Sequence, residues 1–225
     1  MKFIVLGLGN FGKALAIRLT ELGHEVIGAD QSMQKVEALK DKITHTIQMD
    51  VTNKEAVSTL PLKDAHAVVV AIGENEADSL LATALLKQFE IKRIVGRVVS
   101  DLQRTILEAI KIDEFIMPEE ESAERLAIRL VNLHIVDSFK ISENYSIVEA
   151  VVPERYVGMT LQEANLTNEY KVLVLTTLQS TQKEDMGIMK TFKHSTGIAK
   201  SGTILSKDDI LVIYGNMKDI NRLLD

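Results

Sequence analysis

Short apolar runs separated by helical patterns, a glycine-rich turn between the first run and the first helix, and a change of rhythm after residue 136 predict an α/β fold. The expected architecture is a Rossmann-like doubly wound parallel sheet followed by a small α+β domain, with the division at 1–136 and 137–225. The runs 3–6, 26–29, 67–72 and 94–99 are near-continuous in Val, Ile, Leu and Ala, as strands buried on both faces must be. A weaker strand is expected at 46–49. Phe11, Leu15, Leu19 and Leu22 mark one face of the first intervening helix, and Ala77, Leu80, Leu81, Ala84 and Leu85 mark a face of another. Parallel strands require such crossovers, which gives the βαβ order. A helix at 101–110 and a short strand at 114–117 continue the pattern.

Pro118 then opens a new helix. Proline suits a first turn, where its missing N–H is no loss, and Glu119, Glu120 and Glu121 suit the positive end of the helix dipole. Ala123, Leu126, Ala127, Leu130 and Val131 give this helix an apolar face, which Ile128 and Ile135 widen, so it is expected to pack on more than its own sheet. Beyond residue 137, strands are expected at 145–152, 171–178 and 210–214 and helices at 161–165 and 216–224. The polar segment 179–206, broken by Gly187, Gly197 and Gly202, reads as a hairpin or loop.

Composition narrows the function classes. There is no cysteine, hence no disulfide or thiolate metal site, and the five histidines are scattered without ligand spacing. The net charge is -6, with 16 basic against 20 acidic residues up to 136 and 10 against 12 after it, so neither part has the basic excess of a nucleic-acid binder. No run of 18 apolar residues occurs, and the opening Met1-Lys2-Phe3-Ile4-Val5-Leu6 leads straight into glycine rather than into a signal-peptide core.

The first turn reads Gly7-Leu8-Gly9-Asn10-Phe11-Gly12, leaving an expected strand and opening an expected helix. In that context Gly7 permits the tight turn, Gly9 lets backbone approach a diphosphate, and Gly12 lets helix and strand pack closely while helix N–H groups face the anion. Asp30, 18 positions beyond Gly12 at the end of the second strand, is placed to accept hydrogen bonds from an adenosine ribose; its alternative role is as the cap of the next helix. No arginine stands at Gln31, Ser32 or Met33 to take a 2′-phosphate, which disfavours NADP(H). The same stretch begins a G-x-x-x-x-G-K-[ST] string with Gly7, Gly12 and Lys13, but Ala14 stands where the metal-binding hydroxyl belongs, and Lys13 reads as a solvated first-turn residue. Ligands lie over the carboxyl ends of parallel strands, which here are Asp50 and Val51, then Ala71, Ile72 and Gly73, then Arg97. Arg97 suits a phosphate by a forked hydrogen-bond pair, or equally a salt bridge at the sheet edge. The remaining sequence shows no G-x-S-x-G, no H-E-x-x-H and no cysteine nucleophile. A nucleotide site without a reaction centre points to sensing, with a short two-domain NAD-dependent oxidoreductase as the alternative.

The stretches GLGNFGKALAIRLTELGHEVIGAD, AIGENEADSLLATALLKQF, IMPEEESAERLA and DDILVIYGNMKDINRL, which span essentially the whole chain, resemble the KtrA/TrkA family of potassium-uptake regulatory subunits. The resemblance implies an N-terminal RCK nucleotide domain and a C-terminal RCK_C (TrkA-C) domain. It also implies a non-enzymatic cytoplasmic protein, peripheral to the inner face of the cell membrane, whose homodimers assemble into a tetrameric or octameric ring beneath a KtrB/TrkH-like pore. ATP, ADP or NAD(H) would then gate potassium passage. By position it assigns adenine and ribose contacts to Asp30, Gln31, Asp50, Val51 and Ala71, and the diphosphate to Gly7 through Gly12. Glu119 matches an acidic residue that helps hold a divalent cation, Mg²⁺ or Ca²⁺, near the phosphates; as a plain helix-terminus charge it has an alternative reading. Asn10 stands where many relatives carry arginine, which removes a cation that would sense terminal phosphates. The segment 179–206 is longer than the family's compact hairpin, so cyclic di-AMP binding is not carried over.

Overall fold

Strand β1 (Lys2–Leu6) sends Ile4 and Leu6 to one apolar cluster and Val5 to another, and this alternation builds a sheet buried on both sides. The protein, described by a computed structural model at residues 1–112, 114–185 and 188–225, continues with α1 (Asn10–Glu21), β2 (Glu25–Asp30), α2 (Met33–Glu37), β3 (His45–Gln48) and α3 (Lys54–Ser58). Then follow β4 (Ala67–Val70), α4 (Glu76–Gln88), β5 (Ile94–Arg97), α5 (Asp101–Ala109), β6 (Glu114–Ile116) and α6 (Pro118–Val131). The six strands are parallel in the order β3-β2-β1-β4-β5-β6. Ala16 of α1 and Val36 of α2 join the cluster with Val5, Val26 and Val69, whereas Val57 of α3 and Ala82 and Leu86 of α4 join that of Ile4, Leu6, Ile27 and Val68. Helices therefore cover both faces, as the doubly wound reading requires.

Two helix faces differ from the expected ones. Leu22 caps α1 and is exposed rather than continuing the face of Leu15 and Leu19. In α4 the buried side is Ser79, Ala82, Thr83 and Leu86, and Leu81 points outward. The helix is apolar over most of its circumference, so pattern alone does not choose the packed side; Ser79 and Thr83 go inside because each finds a partner. The Thr83 hydroxyl donates to Ser79 O at 2.7 Å, and Ser79 Oγ accepts from Gln103 Nε2 at 3.0 Å.

The chain divides into two compact units, Met1–Glu120 and Glu121–Asp225, so the division falls inside α6, ahead of 136/137. The second unit holds the rest of α6 with β7 (Ile135–Lys140), β8 (Tyr145–Val151), α7 (Leu161–Ala164), α8 (Leu166–Tyr170), β9 (Leu173–Asp185), β10 (Ile188–Ser195), β11 (Ile210–Asn216) and α9 (Met217–Leu224). Its antiparallel sheet runs β10-β9-β11-β8-β7. One face carries Val148, Ala150, Leu211 and Ile213 against Ala164, Leu166, Ile220 and Leu223 of the three helices. Of the segment 179–206, the first part is the β9–β10 hairpin, with Leu178 paired to Ser195, and Gly187 lies outside the described residues. No residue of α6 is buried, and Leu126, Leu130 and Val131 stay exposed; Ile128 alone among its apolar residues packs against the second core. Among the described residues no helix is long and apolar enough to cross a membrane.

Gly12 sits so close to the preceding turn that an added Cβ would stand 1.9 Å from Gly7 O. Backbone cannot yield there, so Gly12→Ala is expected to cost on the order of 3 kcal/mol in urea unfolding, at the upper end for overpacking. In the second unit Arg125 forms an ion pair with Asp137, Nη2 to Oδ2 at 2.5 Å, and holds the Asp137 carboxyl below the usual carboxylate range. The native carboxyl thus resists protonation more than the unfolded one, whose ordinary value is about 3.9. Its contribution is complete above that value and is lost as pH falls through the depressed native one. Urea midpoints followed from pH 6 to pH 2 should fall less steeply for Asp137→Asn than for the parent chain.

Candidate functional site

At the carboxyl ends of the parallel strands the first unit opens a cleft of about 260 Å³, near the lower end of the small-molecule range of roughly 300–1,000 Å³. Gly7, Gly9 and Asn10 line it from the first turn, Asp30 and Gln31 from the end of β2, Asp50 and Val51 after β3, Ala71, Ile72 and Gly73 after β4, and Arg97 at the end of β5. Strand order brings these together: β1 lies between β2 and β4, and the turns after all three meet at one edge.

Gly7 has φ +95°, a conformation that a side chain disfavours, and its amide donates to Ala29 O at 2.8 Å. The turn delivers Gly9 as the cap of α1. That cap has no side chain to accept a helix N–H, and the first turn of α1 has no acidic residue. The neighbours differ: Ser32 caps α2 and accepts from Lys35 N at 3.5 Å, and Asn75 caps α4 and accepts from Ala77 N at 3.0 Å. Only α1, of the three helices that begin at the cleft, leaves its N-terminal dipole end without an internal acceptor.

Asp30 is 7% exposed. Its Oδ2 accepts from Leu8 N at 2.7 Å and its Oδ1 from Ser32 N at 2.9 Å, so the carboxylate ties the glycine turn to the turn after β2. The capping role falls to Ser32 instead. Each carboxylate oxygen keeps a lone pair, so Asp30 remains an acceptor toward the cleft. Lys35 Nζ stands 4.0 Å from Asp30 and 3.4 Å from Glu74 Oε1 across the cleft. Asp50 accepts from the Thr52 hydroxyl at 2.7 Å and Thr52 N at 2.9 Å, which together hold its carboxyl below the usual range.

Two residues expected at the site stand behind it. Phe11 packs on the core cluster under α1, with the Arg97 guanidinium 5.9 Å from its ring centroid, and Gly12 serves the helix–strand contact described above. Glu119 does not line the cleft; its carboxylate pairs with Arg97 Nη2. Among the described residues no three His, Cys, Asp or Glu side chains gather as a metal site needs, so the donor set around Glu119 does not fit a cation held by this chain alone. Lys35, Met49, Thr52, Glu74, Asn75 and Asp78 also line the cleft and were missed. Asn75 was findable as a cap residue just past a strand end; Lys35 was not, because its reach depends on how α2 turns back over β2.

A family model, the TrkA-N domain, matches residues 3–118. Ktr system potassium uptake protein A of Bacillus subtilis (strain 168) is 30% identical over 224 residues, which cover 98% of this chain and 94% of that protein. The chain belongs to the TrkA-N domain family, and it is similar along nearly its whole length to Ktr potassium-uptake proteins. The resemblance to KtrA/TrkA subunits seen in the sequence is thereby established. Ktr system potassium uptake protein C of the same strain is 29% identical over 221 residues, covering 98% of this chain and 95% of that one. Among solved structures the GsuK channel bound to NAD superposes with TM-score 0.62 at 13% identity, covering 99% of this chain; the chain spans 38% of the GsuK length, and the likeness is one of fold.

Replacing Asp30 by alanine leaves the buried Leu8 N–H without its acceptor. Asp30→Ala is expected to cost about 2 kcal/mol in urea unfolding, as unsatisfied buried donors do. Asp50→Ala, at an exposed position, should cost less than about 0.5 kcal/mol.

Proposed function

We propose that this chain is a regulatory, nucleotide-binding subunit of a potassium-uptake system, and that an adenine nucleotide in the cleft of the first unit gates a KtrB/TrkH-like membrane subunit. The observation that carries this reading is the pairing, in one cleft, of a buried carboxylate at the end of β2 with an uncapped, acid-free helix N-terminus at the glycine turn. The carboxylate suits ribose hydroxyls and the helix end suits a diphosphate. Similarity along nearly the whole chain to Ktr potassium-uptake proteins supplies the transport context. The name of the GsuK structure records NAD in a protein of the same fold.

In this reading Asp30 and Gln31 take the ribose, Asp50, Val51, Ala71 and Ile72 border the adenine, and Gly7, Gly9, Asn10, Gly73 and Arg97 face the phosphates. ADP, ATP and NAD(H) all present that chemistry, whereas the carboxylate of Asp30 opposes a 2′-phosphate. The role is binding, not turnover: the cleft's titratable groups, Asp30, Lys35, Asp50, Glu74, Asp78 and Arg97, are positioned as acceptors, ion pairs and anion contacts. The exposed apolar face of α6 supports self-association, as a homodimer building a tetrameric or octameric ring. The first unit, Met1–Glu120, acts as the nucleotide domain and the second, Glu121–Asp225, as the RCK_C domain, in a protein that is cytoplasmic and peripheral to the membrane.

Potassium flux into liposomes holding a KtrB/TrkH-type pore and this chain tests the proposal. Adding millimolar ADP, ATP or NADH should change the flux by about fivefold or more, the low end of allosteric coupling. Flux that is the same with and without every one of them contradicts the proposal.

A further inference from the structure

Arg97 occupies a position that neither the cleft nor its carboxylate partner fully explains. Its side chain is 15% exposed and reaches the cleft past Gly73, where the absence of a Cβ leaves the room: an added one would lie 2.4 Å from Arg97 Nη1. Nη1 donates to Ala71 O at a long 3.4 Å and Nη2 pairs with Glu119, while the buried Nε has no hydrogen-bond partner among the described residues. A guanidinium carries five N–H donors in a fixed fork, and burying any of them unmet costs free energy. The partner is weakly held from the other side: Glu119 is 61% exposed on the first turn of α6, where solvent screens the pair. A partly buried, under-satisfied cation facing a cleft therefore leans on an exposed carboxylate that a better anion can replace.

We infer that Glu119 is a specificity-determining residue, an internal stand-in for a phosphoryl group. It occupies Arg97 when the cleft is empty, and a ligand bearing phosphate beyond the ribose displaces it by taking the guanidinium in a bidentate pair. This deepens the nucleotide reading and rests on it. Two consequences separate it from the alternatives. Phosphorylated nucleotides compete with Glu119 and unphosphorylated adenosine does not. Displacement also frees the first turn of α6, the helix that runs on into the second unit.

Calorimetric titrations with ADP and with adenosine, each in EDTA and in millimolar Mg²⁺, test the inference on the full chain. Glu119→Gln should bind ADP about two- to fivefold more tightly than the parent, the range a solvent-screened ion pair is worth, and adenosine unchanged. Glu119→Asp, one methylene shorter, should move ADP affinity in the same direction, and Arg97→Gln should erase the preference for ADP over adenosine. ADP bound equally or more weakly by Glu119→Gln overturns the inference and leaves the site reading intact. Weakening seen in Mg²⁺ alone overturns it in favour of a cation ligand. If no protein binds ADP or adenosine, the site reading and the inference fall together.

Discussion

Two backbone N–H groups end on the buried carboxylate of Asp30, and the form of the cleft depends on them. Leu8 belongs to the glycine turn and Ser32 to the cap of α2, so one side chain fixes two loops that would otherwise move separately. The hydrogen bonds are charge-assisted and largely shielded from water, which makes them stronger than neutral ones. With the turn held there, Gly9 presents an uncapped helix end to the same space that Asp30 borders. The proposed ligand chemistry rests on that juxtaposition rather than on any residue alone.

The parallel sheet was legible because strands buried on both faces leave near-continuous apolar runs, and even the weak third strand stands where its pattern put it, at His45–Gln48. Helix faces were less legible. The outward turn of Leu81 and the inward turn of Ser79 depend on Gln103, a residue of another helix that no pattern within α4 reports. The hairpin of β9 and β10 is longer than a run of apolar residues would suggest, since cross-strand backbone pairing sustains it through polar sequence. The division between units falls within α6, a helix whose pattern is unbroken and therefore carries no mark of it.

The site divides along the same line. Residues at strand ends were readable because topology alone places them, so Asp50, Ala71, Gly73 and Arg97 all border the cleft. Side chains that arrive from elsewhere were not. Lys35 reaches in from α2, and Phe11, within the glycine string itself, points into the core instead. The sequence offers Glu119 as a helix-terminus charge or a cation ligand, whereas the structure gives it a partner 22 positions away in sequence. Local pattern fixes what the backbone offers; long side chains choose their partners in three dimensions.

The second unit offers a sheet with one covered face and one open, where Tyr145 and Tyr214 stack with ring centroids 5.6 Å apart. The cleft proposed for the nucleotide, by contrast, is lined only by residues of the first unit. Hydrogen–deuterium exchange of the intact chain with and without saturating ADP addresses that assignment most directly. Amides of residues 7–12, 30–35 and 71–78 should exchange more slowly with ADP present. Protection that is absent from those three segments, or that appears instead in the second unit alone, would contradict the account.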